Sequence, residues 1–136
     1  MEWPNDCSVG IPVLDEQHYH VRERFECVKE TMARGEGWND LHLALTTLIE
    51  RFELCVAVEE ALMRIHGYPE SERHRKEHAD LLLCLRRLEK ANLSNGLTGK
   101  MIGVAFASMM GHHLTEDRRH ARHLMRLRGE TPVACP

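Results

Sequence analysis

Cys55 and Glu59 stand four residues apart, and so do His74 and His78. Residues at i and i+4 share one face of a helix, so each pair can present two donor atoms to one point. Thiolate, carboxylate and imidazole are side chains that hold transition metals. All four residues fall where the apolar period places a core. Cys55 and Glu59 continue the stripe Leu41, Leu45, Leu48, Phe52 towards Leu62, and His74 and His78 lead into Leu81, Leu85 and Leu88. His18 lies four after Leu14 and three before Val21, and His112 follows Met109 by three. A buried carboxylate without a partner costs several kcal/mol or shifts its pKa. A metal ion removes that cost, because its ligands are neutral imidazoles and anionic carboxylates.

Each residue alone has a plainer explanation. His18 or His112 can be a hydrogen-bonded core histidine. Cys55 can be a small buried hydrophobe. A histidine pair at i and i+4 can lie on a solvated face. Glu59 can be a boundary residue, with Glu60 beside it in solvent. Four stripes interrupted at once favour a shared metal centre inside a bundle.

The elements that must position these groups read as helices throughout. An irregular arm, residues 1–14, precedes a first helix that Asp15 starts and "ARGEG" ends. A second helix runs from about Asn39 to His66, where Gly67 and Pro69 break it. A third runs from about Pro69 to Lys90. A fourth helix begins near Leu97 and runs to about Arg128, and residues 129–136 form a tail. Four amphipathic helices with short links in 136 residues predict one all-α domain, an up-down-up-down four-helix bundle.

The formal net charge of -3 is mixed along the chain, and the basic stretch Arg118 to Arg128 is interleaved with histidines. That argues against a nucleic-acid partner. No apolar run reaches membrane-spanning length, and the N-terminus lacks the layout of a signal peptide. A cytoplasmic protein without a membrane partner is expected. The five cysteines are odd in number and form no CxxC, so reduced thiols are expected.

"VGIPVLDEQH", "EEALMRIHGYP", "HRKEH" and "HHLTED" together resemble the bacterial hemerythrins, over about residues 8 to 127. The resemblance implies a four-helix bundle with two non-haem iron ions and a bridging oxo or hydroxo group, binding O2 reversibly. It implies that His74, His78 and His112 hold one iron. His18 and position 55 would hold the other, the one that binds O2, and Glu59 and Asp117 would bridge the two. The five-residue step from His112 to Asp117 is a spacing of the family. Face geometry at ~100° per residue prefers His113 with Asp117, or His112 with Glu116.

The departures from the family concern its O2 side. Position 55 is a histidine in the family and Cys55 here. Three outcomes follow. Cys55 ligates as thiolate, since a metal lowers a thiol pKa. Or it falls short, and water or a nearby histidine such as His20 completes the shell. Or the second site is weak. A thiolate donates electron density, which in haem enzymes favours O–O cleavage. Around the site, His113, His120, Ser108 and Val56 stand where the family usually has isoleucine, tyrosine, tryptophan and phenylalanine. His113 is a candidate proton donor or a solvated flank residue.

Two functions of different kind are therefore expected. One is an O2-binding protein for storage, delivery or sensing. The other is a di-iron redox enzyme, an oxidase or peroxidase or a nitric-oxide- or sulfur-handling enzyme, served by a redox partner. A metal-free or zinc-bound bundle acting in partner binding is a third, structural reading.

Overall fold

A computed structural model describes residues 7–129. The predicted tail beyond Gly129 and the first six residues of the arm lie outside the described residues. Four rods form an all-α bundle: α1 (Pro12–Ala33), α2 (Trp38–His66), α3 (Ser71–Leu93), and a fourth made of α4 (Gly99–His112), a π-helical turn (His113–Asp117) and α5 (Arg118–Leu127). No strand occurs among the described residues.

α1 begins three residues before the expected start signal. Pro12 is the reason: its fixed φ suits the first helical position, where its missing N–H is not needed. Asp15 instead pins the arm. It accepts from Ser8 Oγ at 2.7 Å and from the Val9 N–H at 2.8 Å. Gly10, at φ 85°, makes the turn that lets the arm fold back. Gly67, at φ 60°, ends α2 in the left-handed conformation. Thr98 starts α4, its side chain accepting from the Met101 N–H. Trp38 Nε1 donates to the Asn92 carbonyl at 2.7 Å and ties the start of α2 to the end of α3.

The core is in two parts. A large cluster includes Val21, Phe25, Leu45, Leu48, Phe52, Leu85, Ile102, Phe106 and Met109. A smaller one holds Val9, Ile11, Leu14, Ala121, Leu124 and Met125. On α1 and on the fourth rod the chemistry-bearing residues fall between these two clusters in sequence. On α1 the order is Leu14, His18, Val21; on the fourth rod it is Met109, His112, Asp117, Ala121. Antiparallel neighbours stack those positions into one polar layer.

Candidate metal centre

In that layer His18, Cys55, Glu59, His74, His78, His112, His113 and Asp117 are all buried, each less than a tenth exposed. The fourth rod, read from the period as one helix, contains a π-helical turn at His113–Asp117. The π-helical turn inserts one residue between His112 and Asp117. The five-residue step therefore closes on one face, with His112 Nε2 2.8 Å from Asp117 Oδ1. Asp117 also meets His113, one α-helical turn away, at 3.3 Å. Glu116 turns elsewhere, to Arg73 and Arg119.

The two carboxylates each divide their oxygens between two sides. Asp117 Oδ1 lies 3.1 Å from His74 Nε2 and 2.8 Å from His112 Nε2. Asp117 Oδ2 lies 3.3 Å from both His18 Nε2 and His113 Nδ1. Glu59 Oε2 lies 3.0 Å from His78 Nε2, and Glu59 Oε1 lies 3.1 Å from His18 Nε2. Cys55 Sγ is 3.9 Å from Glu59 Oε2.

Outer partners fix the rings. His78 Nδ1 donates to Glu60 at 2.8 Å, and His112 Nδ1 donates to Glu77 at 3.0 Å. Both bonds aim Nε2 inward, where neither nitrogen has an aligned hydrogen-bond acceptor although a carboxylate oxygen is near. A carboxylate on the outer nitrogen is the usual support of a metal-bound histidine. Glu60, expected in solvent, is thus partly buried and bonded. Position alone did not reveal it or Glu77, but both lie one residue from a candidate ligand. His20 does not approach the site; it faces Glu16 on the surface of α1 at 4.0 Å. Of the four positions expected to change the pocket, only His113 lines the cavity. Ser108 is exposed, and Val56 lines an outer groove. His120 is wholly buried beside Tyr68 and His74, with no hydrogen-bond partner at either ring nitrogen among the described residues.

Protons balance the charge when no cation does. Burial pushes the His18 and His112 imidazoles down, but the Asp117 carboxylate and its neighbours outweigh it and raise both to about 9. His78 is raised in the same way, against its burial, by Glu59. Burial pushes Glu59 and Asp117 up, and Asp117 also repels charge on Glu59, yet the surrounding imidazoles hold both below the usual carboxylate range. Burial, then Glu59 and Asp117, drive the Cys55 thiol well upward. Burial takes His120 down to about 4.

The donor set fits metal ions. Glu59, His74, His78, His112 and Asp117 have ligand atoms within 4.8 Å of one another, as do His18, Cys55 and Glu59, and His18, His113 and Asp117. Inward-facing nitrogens without aligned acceptors and shared carboxylates are what a cation between them would satisfy. Fold and site together define a helical-bundle metal-binding protein. The chain matches the Hemerythrin HHE cation binding domain over residues 9–126 and belongs to the hemerythrin family. No curated protein and no solved structure gives a significant match. The family's metal is typically iron.

Proposed function

We propose that this protein binds O2 at a centre of two non-haem irons. One observation carries the reading: Glu59 and Asp117 each turn one oxygen to either side, between two sets of imidazoles. His74, His78 and His112 would hold one ion, with Asp117 Oδ1 and Glu59 Oε2. His18 would hold the other, with Asp117 Oδ2 and Glu59 Oε1. Iron supplies, when bound, the electrons and the vacant coordination that take up O2.

The chain's own residues set what can enter. A cavity of about 20 Å³ meets His18, His113 and His112 but not His74 or His78. That is room for a water-sized or diatomic guest. Val21, Phe52 and Met109 give it apolar walls, which keep bulk water and its protons away. Such a space suits a gas and excludes an organic substrate.

Cys55 in the same wall favours a second reading, a redox enzyme in which the thiolate ligates iron and a partner supplies electrons. The sulfur lies within reach of the His18 side.

Iron analysis after iron-replete expression tests the centre: two irons per chain and a near-ultraviolet charge-transfer band are expected. At most one iron per chain, or no such band, would refute it. Reduced protein is then exposed to O2 and evacuated. A spectral change that reverses supports binding. Prompt oxidation with turnover of a reductant supports the enzyme.

A further inference from the structure

We infer that His113, through Nδ1, is the second imidazole ligand on the His18 side, in the position that Cys55 would otherwise fill. The inference rests on the two-metal reading above and deepens it.

The tautomer comes first. His113 Nε2 lies 2.7 Å from the backbone carbonyl of Cys7. A carbonyl only accepts, so Nε2 carries the hydrogen. In the neutral ring Nδ1 is then a bare lone pair. It points at Asp117 Oδ2, 3.3 Å away, which is also a lone-pair atom. Two lone pairs face each other only with a cation between them, either a proton or a metal. The outer hydrogen bond decides which nitrogen binds metal. The Cys7 carbonyl does for His113 what Glu60 and Glu77 do for His78 and His112.

The geometry on the two sides of Asp117 also matches. Around Oδ1 stand His74 and His112, with ring centroids 4.7 Å apart and planes at 84°. Around Oδ2 stand His18 and His113, with centroids 4.6 Å apart and planes at 86°. Each side is a pair of crossed imidazoles on one carboxylate oxygen. Cys55 does not share this arrangement: its sulfur approaches Glu59 Oε2, the oxygen turned to His78.

Coordination then separates the two candidates. Around an octahedral iron, His18, Glu59, Asp117 and a bridging oxygen leave two positions. One further protein ligand leaves one position for a guest, whereas two would close the site. With His113 bound, Cys55 remains a thiol in the cavity wall.

X-ray absorption on the unaltered iron-loaded protein tests this directly. Five imidazoles shared between two irons are expected, with no sulfur neighbour. A sulfur shell at about 2.3 Å, the zinc–thiolate distance as a guide, with four imidazoles, overturns it. Two variants give an independent measure. Cys55→Ser should keep two irons per chain and the parent's charge-transfer band. His113→Gln can still donate to the Cys7 carbonyl, and should fall from two irons to one with helicity unchanged. Two irons and an unaltered band in His113→Gln would overturn the assignment. If His113→Gln does not fold, the absorption result decides alone. An unaltered protein holding at most one iron would instead refute the two-metal reading beneath it.

Discussion

A histidine has two nitrogens, and a metal-bound ring almost always has its other N–H held by an acceptor. In this polar layer the acceptors are as telling as the candidate ligands. Glu60 and Glu77 hold the Nδ1 hydrogens of His78 and His112, so the inward Nε2 atoms are free of hydrogen when the rings are neutral. Replacing either carboxylate by an amide removes a negative acceptor and lets the ring turn or change tautomer. Glu60→Gln and Glu77→Gln should each weaken metal affinity about 10- to 100-fold, measured by competition with a chelator. Glu53→Gln, which alters only an exposed pair with Arg86, is the control and should change nothing. Equal affinities in all three variants would remove the supporting role of Glu60 and Glu77. His120 is the opposite case. It is buried with neither nitrogen bonded, is neutral near pH 7, and reaches the centre only by packing against His74.

The π-helical turn is the element on which the fourth rod's contribution depends. In a regular α-helix, residues five apart diverge by about 140°, and Asp117 would turn away from His112. The extra residue corrects this and leaves Asp117 facing His112 and His113 together. Thr115, exposed within the turn, bonds only to the backbone of its own helix. Deleting Thr115 should restore α-helical register and keep Asp117 on the face of His112, now four residues away and about 40° around the helix. Two irons per chain should therefore be retained, with little change in circular dichroism. Loss of iron in the deletion would show that the widened turn does more than bring His112 and Asp117 onto one face. The same turn marks where the sequence stopped being legible. Apolar spacing placed all four rods, and interrupted stripes picked out His18, Cys55, Glu59, His74, His78 and His112. A period of 3.6 cannot announce its own exception, so Asp117 came only from resemblance and His113 was left between a solvated flank and a proton donor. The Cys7 carbonyl that fixes His113 belongs to the arm, where no period exists to read. Glu60 was assigned to solvent because its neighbour took the core position, yet a long side chain can reach sideways along its helix.

At the scale of the molecule, two apolar clusters close the polar layer from both ends, so every charge in it must be balanced locally. A low-dielectric layer with two carboxylates accepts either protons on its imidazoles or metal ions, and the two compete. This fixes how the metal-free protein responds to pH. His18 and His112 have folded pKa values near 9 against 6.5 unfolded. The folded state therefore binds more protons between those values, and the stability they contribute is complete below pH 6.5 and lost as pH rises through 9. His120 acts on the other limb: near 4 folded and 6.5 unfolded, it lets stability fall as pH drops from 6.5. The depressed Glu59 and Asp117 extend that loss below about pH 4.5, where the unfolded chain takes up their protons first. Metal-free protein should then be most stable near pH 6.5, and its melting temperature at pH 9 should be several degrees lower. If iron is held by His18 and His112 as proposed, both rings stay neutral in the loaded protein, and the loss between pH 6.5 and 9 should disappear. Scanning calorimetry of chelated and loaded samples at both pH values reads the difference. A chelated protein that melts no lower at pH 9 than at pH 6.5 would mean that the buried carboxylates are not held by protonated His18 and His112.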